Sequence, residues 1–219
     1  MDTYEEKPKS YRNDIIALAG GAVFGALSMA ISPFTGSIPK MAVGFGMSIL
    51  DPISIIWIVS FFIFGWKAGL LSSGLGALGI AILSPEIAAW LGAFMKFSAT
   101  ISYILIPTLL AKLRNYKSTD FKGLKLYSAS SGLATLVRVI LMLTLNLTFA
   151  MALYAAIFGI PLDTVIAIMT AWLAPTGITG WGAVILTLAV MNLWQSIWDV
   201  SLPYIIVYPT KIGENYAIW

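Results

Sequence analysis

Apolar residues in this chain come in long blocks separated by short polar joints, not in the alternating or one-in-three patterns of a soluble domain. About 20 consecutive apolar residues on a helix span a bilayer. The blocks place spans at 14–32, 53–64, 68–83, 87–113, from after Lys125 to Gly159, and at 183–207. The expected fold is therefore all-α: a polytopic membrane protein with six transmembrane helices, forming one membrane domain over 14–211. Residues 1–13 and 212–219 read as polar tails. The opening MDTYEEKPKSYRND is too polar to begin a signal peptide, so the first span is expected to be retained.

The joints carry the punctuation. Residues 33–50 (PFTGSIPKMAVGFGMSIL) are broken by Pro and Gly and read as a re-entrant or lid-like piece at the membrane face. Asp51 and Pro52 then read as N-cap and first residue of the second span. Gly65-Trp66-Lys67 makes a tight turn, and Ser84-Pro85-Glu86 makes another on the opposite side. Residues 160–182 form a further connection, with a short interfacial helix expected around 164–173 and ended by Pro175 and Gly177.

Composition and charge then fix the class. The chain is 59% hydrophobic and only 11% charged, where a soluble domain carries about 25%. Of its 13 Lys and Arg, ten (Lys7, Lys9, Arg12, Lys67, Lys112, Arg114, Lys117, Lys122, Lys125 and Lys211) fall on one side of this topology. Cationic loops stay inside, so both termini are expected to be cytoplasmic. The net charge of +3 thus reports topology and not nucleic-acid binding. With no His and no Cys, disulfides, thiolate nucleophiles, Ser-His catalysis and nearly all zinc or copper sites are excluded, and no metal or other cofactor is expected.

Candidate chemistry lies where polar groups interrupt apolar helices. Lys96 sits roughly 14 Å along the fourth span, where a charge costs about 2.5 to 3.5 kcal/mol unless it faces protein or a wet cavity. Lys96 and Thr100 share one face of that helix; Arg138, Met142 and Asn146 line up on the fifth; Asn192, Gln195 and Asp199 on the sixth. Asp199 is the natural counter-charge to Lys96 or to Arg138. These groups form either a structural ion pair or a polar cavity for a small organic molecule, with the amides as specificity groups. Phe94, Phe97, Tyr103, Trp172, Trp194 and Trp198 serve either packing or stacking on a planar ligand. In the first span, Gly21/Gly25 and Ala22/Ala26 are small-xxx-small pairs, suited to packing within the chain or to docking a partner subunit.

The layout of six spans, cytoplasmic ends, a small-residue first helix and a broken outer segment resembles the substrate-binding S components of energy-coupling factor (ECF) vitamin transporters. The riboflavin-type members are nearest. Their Lys-x-Asp…Asp-Ile-Pro, Phe-Gly-Pro-x-x-Gly and Gly-Glu-x-x-Asn-Phe stretches have counterparts here. These are Pro39-Lys40 with Asp51-Pro52-Ile53, then Phe64-Gly65-Trp66-Lys67-Ala68-Gly69, then Gly92-Ala93-Phe94-Met95-Lys96-Phe97. Lys96 stands where those proteins have an amide, Trp66 where they have proline, and Asp51-Pro52 lacks their spacing.

The resemblance implies a high-affinity binding subunit of the cell membrane, not an enzyme and without catalytic residues, that captures riboflavin or a related vitamin. The implied substrate-binding set is Lys40, Asp51, Phe94, Lys96, Thr100, Arg138, Asn146, Asn192, Trp194 and Gln195. Gly21, Ala22, Gly25 and Ala26 would dock a transmembrane coupling subunit driven by two ATPase subunits. The implied partners are thus the vitamin, those subunits and membrane lipid, with no nucleic acid. An intramembrane enzyme acting on a lipid headgroup and a stand-alone secondary carrier remain alternatives. The first would work with a thin catalytic set, and the second lacks the expected internal repeat.

Overall fold

The structure, a computed structural model, describes residues 9–40 and 48–219. Part of the lid-like segment expected over 33–50 therefore lies outside the described residues, as does most of the N-terminal tail. Among the described residues the chain is helical, with a single isolated antiparallel bridge between Lys40 and Ser48. The helices are α1 (Lys9–Ile31), α2 (Pro52–Phe64), α3 (Trp66–Leu83), α4 (Ala89–Arg114) and α5 (Leu124–Leu145). A π turn (Asn146–Ala150) joins α5 to α6 (Met151–Phe158), followed by α7 (Leu162–Thr170), α8 (Gly180–Val207) and α9 (Ile212–Tyr216).

Five of the described helical stretches are long and apolar enough to cross a membrane: Tyr11–Ser37, Trp66–Leu83, Ala89–Arg114, Leu124–Phe158 and Gly180–Val207. The protein is an all-α polytopic membrane protein. Of the six expected spans the second, α2, falls short, with only 13 residues, about 20 Å of helix. It is short because it is the core: Ile53, Trp57, Phe61 and Phe62 are almost wholly shielded by neighbouring helices, so α2 has little lipid to face. Asp51 caps it as the sequence indicates, accepting the Ile53 N–H at 3.1 Å.

Without a hydrophobic drive between helices in lipid, close backbone approach and van der Waals contact decide packing. Here glycines supply the approach. A Cβ on Gly21 would stand 2.9 Å from the Ala68 backbone, and one on Gly25 would stand 2.7 Å from Leu75, so α1 lies directly against α3. On α3, a Cβ on Gly76 would meet the Trp57 indole nitrogen at 2.3 Å. That indole donates to Ser28 Oγ at 3.0 Å, tying α2 to α1. Gly21 and Gly25 are thus occupied within the chain and unavailable for the docking role implied for them. Ala22 and Ala26, one residue round the helix, are exposed.

One end of the bundle is knitted by the chain's last residues, which are ordered against the helices where the sequence reads as a free tail. Ile218 N–H donates to Ile63 O (3.1 Å), Asn13 Nδ2 to Ile218 O (3.1 Å), and Trp219 Nε1 to Phe61 O (3.0 Å). Phe62, Phe121, Tyr127 and Tyr208 pack around them. Lys67 at the start of α3, Lys112 and Arg114 in the last turn of α4, and Lys117 and Lys122 in the connection that follows lie at this basic end. Lys67 pairs with Asp14 at 2.8 Å, and Lys122 with Glu214 at 2.5 Å. The hydrogen bond and charge of that second pair hold the Lys122 ammonium above, and the Glu214 carboxyl below, their ordinary values. The opposite end carries the Ser84–Glu86 turn and the α6–α7 connection. There α7 continues into a 3₁₀ turn (Ala171–Thr176) that stops at Gly177, whose φ of +74° suits glycine.

The glycine seams yield a contrast. Gly76→Ala is expected to destabilise the protein by about 1 to 3 kcal/mol through overpacking against Trp57. Gly74→Ala, with nothing within 4 Å of its new Cβ, should be neutral or stabilise by up to about 1 kcal/mol. Thermal unfolding of the two variants in detergent reads the difference; equal effects would show that α3 does not press on α2 as described.

Candidate functional site

The polar faces of α2, α4, α5 and α8 converge on one cavity of 270 Å³. Asp51 and Ser54 enter from the start of α2, Lys96 and Thr100 from α4, Arg138 from α5, and Asn192 and Gln195 from α8. Met95, Met142 and Met191 supply apolar wall, and Tyr154 of α6 closes one side. Ser48, Gly92 and Tyr154 also border a cleft of 510 Å³ at the end away from the basic loops, lined further by Lys40, Glu86 and Phe158. Cavity and cleft together reach the size range of small-molecule sites, about 300 to 1,000 Å³.

Two ion pairs frame the cavity. Lys96 Nζ lies 2.8 Å from Asp51 Oδ2, with a quarter of the lysine side chain still accessible. Deeper in, Arg138 Nη1 donates to Asp199 Oδ2, and both side chains are almost fully buried. Ser54 Oγ donates to the other Asp199 oxygen at 2.5 Å, and Arg138 Nε donates to Asn192 Oδ1 at 3.3 Å. The guanidinium also sits over the Tyr103 ring at 5.7 Å. A charge at membrane depth must be compensated, and these contacts compensate both carboxylates and both cations. Asp199 therefore answers Arg138, and Lys96 takes Asp51, the N-cap of α2, a partner the sequence does not pick out because 45 residues separate them.

Six of the expected binding residues line the cavity: Asp51, Lys96, Thr100, Arg138, Asn192 and Gln195. Lys40 lies in the outer cleft and pairs with Glu86 at 3.0 Å. Three lie elsewhere, for reasons of helical phase. Phe94 is two residues from Lys96, roughly 200° round the helix; it is exposed and packs on Phe149. Trp194 is offset from Asn192 in the same way, and its indole N–H holds Ile49 O at 3.0 Å. Asn146 stands eight residues from Arg138, so its phase has drifted by roughly 80°. It sits at the π turn with its amide donating to Met142 O at 2.7 Å. Gln195 adds a second hold on the segment before α2, donating to Ser48 O at 3.1 Å. Sequence reasoning places Met142 on the Arg138 face but misses Ser54, Tyr154, Met95 and Met191. Ser54 is legible as Asp51 plus three, whereas a methionine in an apolar helix carries no signal of its own.

No protein-family model, curated protein or solved structure matches this chain. The site's own chemistry therefore carries the functional reading.

Removing one member of the deep ion pair strands the other charge. Arg138→Met and Asp199→Leu should each destabilise by about 3 to 5 kcal/mol, and the double variant by markedly less. Thermal unfolding of the three variants checks this; an additive double variant would mean that the two side chains do not interact.

Proposed function

We propose that this protein is the substrate-binding subunit of an ECF-type importer of the cell membrane. In this reading it captures a vitamin-sized organic molecule, with riboflavin the leading candidate, for uptake driven by a transmembrane coupling subunit and two ATPase subunits. One observation carries the reading: the polar cavity between α2, α4, α5 and α8 adjoins a cleft at the end opposite the basic loops. By the positive-inside rule that cleft faces outward, as a capture site requires. The exposed Ala22 and Ala26 on α1 supply a close-packing surface for a coupling subunit, on a helix whose other side is already seated on α3.

The same geometry argues against the enzyme alternative. Asp51 and Asp199 are each bound by a cation and by a further donor, which leaves neither as a ready general base.

The purified protein alone should bind one such ligand tightly, and Lys96→Ala or Asn192→Ala should weaken that binding by about ten- to hundredfold. Ala22→Phe and Ala26→Phe should abolish uptake in cells that also make the coupling subunits, while leaving ligand binding by the purified protein intact. Loss of binding in the α1 variants would point to misfolding instead. Uptake into vesicles driven by an ion gradient without ATP would replace this reading with the carrier.

A further inference from the structure

A second pocket, of 340 Å³, opens at the basic end between the start of α3 and the last turns of α4. It shares no residue with the polar cavity or the outer cleft. Buried Thr108 and Ala111 line it with Trp219, while its other borders, Trp66, Lys112 and Asn115, stay exposed.

Charge at this end is unequally met. Lys67 pairs with Asp14 and Lys122 with Glu214, but among the described residues no carboxylate pairs with Lys112. No acidic residue lines the pocket. Lys112 Nζ instead lies 5.2 Å from the centre of the Trp66 ring, and Lys67 Nζ lies 5.9 Å from the same ring. The Asn115 side chain likewise meets no protein hydrogen-bond partner among the described residues. An ammonium brings three N–H donors and an amide two, so the pocket offers donors and positive charge with no protein acceptor assigned to them. Aromatic walls can also hold a quaternary ammonium. Here the Trp66 ring already has two ammonium groups beside it, and a third cation would be repelled. The pocket is therefore built for an anion.

The surface beside it indicates what carries that anion. Leu109 stands three residues before Lys112, and Leu105 four before Leu109, so the three follow one face of α4. Both leucines are exposed, on a helix long and apolar enough to cross the membrane. An indole at a helix end, as at Trp66, suits the membrane–water boundary, and a lysine there extends its ammonium toward the headgroups. A soluble phosphate has no use for an apolar track leading away from the cation. A phospholipid uses both.

We propose that this pocket binds one anionic phospholipid from the leaflet at the basic end, the cytoplasmic one by the positive-inside rule. Lys112 and Asn115 hold its phosphate beside Trp66, and an acyl chain lies along Leu109 and Leu105. The site does not depend on what the polar cavity captures.

The test uses the full-length protein in detergent, titrated with phosphatidylglycerol or phosphatidylcholine and read by native mass spectrometry. One phosphatidylglycerol should bind about tenfold more tightly than phosphatidylcholine. Lys112→Gln should remove about that tenfold for phosphatidylglycerol and leave phosphatidylcholine unchanged. Lys125→Gln removes the same charge from the same end but lies outside the pocket, and should have little effect. Thermal unfolding without added lipid should be the same for both variants and the natural protein. Equal weakening by the two substitutions would show diffuse attraction to the basic end and overturn the site. Equal binding of the two lipids would overturn its anionic class. Displacement of the lipid by glycerol 3-phosphate at comparable concentration would show a soluble phosphate site and overturn the lipid.

Discussion

The contact between Arg138 and Asp199 governs how the membrane core is put together. A guanidinium and a carboxylate, each almost wholly removed from solvent, tolerate no separation in a medium of low dielectric. Their pairing therefore fixes the register of α5 against α8, and Ser54, bonded to the same carboxylate, fixes the start of α2 against both. Because Asp199 holds Arg138 from one side, the guanidinium cannot reach across to close the space in front of it. Lys96 is drawn to Asp51 at the rim in the same way. The cavity exists because each cation is held by a different wall.

Glycine and a short helix complete the arrangement. The seams between α1, α3 and α2 bring backbones close enough for dispersion to hold them, which leaves α2 enclosed and freed from the need to span lipid by its own length. A 13-residue helix starting at Pro52 puts its N-terminus, with its orphan N–H groups and the Asp51 cap, at the depth of Lys96. The polar site and the shortened core helix are one feature seen from two directions.

Much of this was legible in the residues. The apolar blocks and the loop cations gave the class and the spans, and α-helical phase brought Lys96, Thr100, Arg138, Asn192 and Gln195 to inward faces. Local chemistry also marked the Asp51 cap and the Gly177 stop. Phase arguments failed where they were carried too far along a helix, as with Asn146, or ignored, as with Phe94 and Trp194. Partner choice was out of reach: which carboxylate answers which cation depends on packing between helices distant in sequence. The small-residue face of α1 could not be divided between internal and external use until α3 was seen to take Gly21 and Gly25.

The π turn between α5 and α6 has a consequence for the shape of the site. On an unbroken helix Tyr154 would stand roughly 160° from Arg138, facing away from it. The wider turn takes in an extra residue and retards the rotation of everything beyond it, so that Tyr154 swings back to border the same cavity. Meanwhile Met151 and Ala155 settle against Val165 and Val184. The upper wall is thus indexed separately from the charged floor beneath it. Gain or loss of one residue within 146–150 re-aims the wall while the Arg138 anchor stays in place, giving the fold a means of reshaping its guest space without disturbing the charges that hold the bundle together.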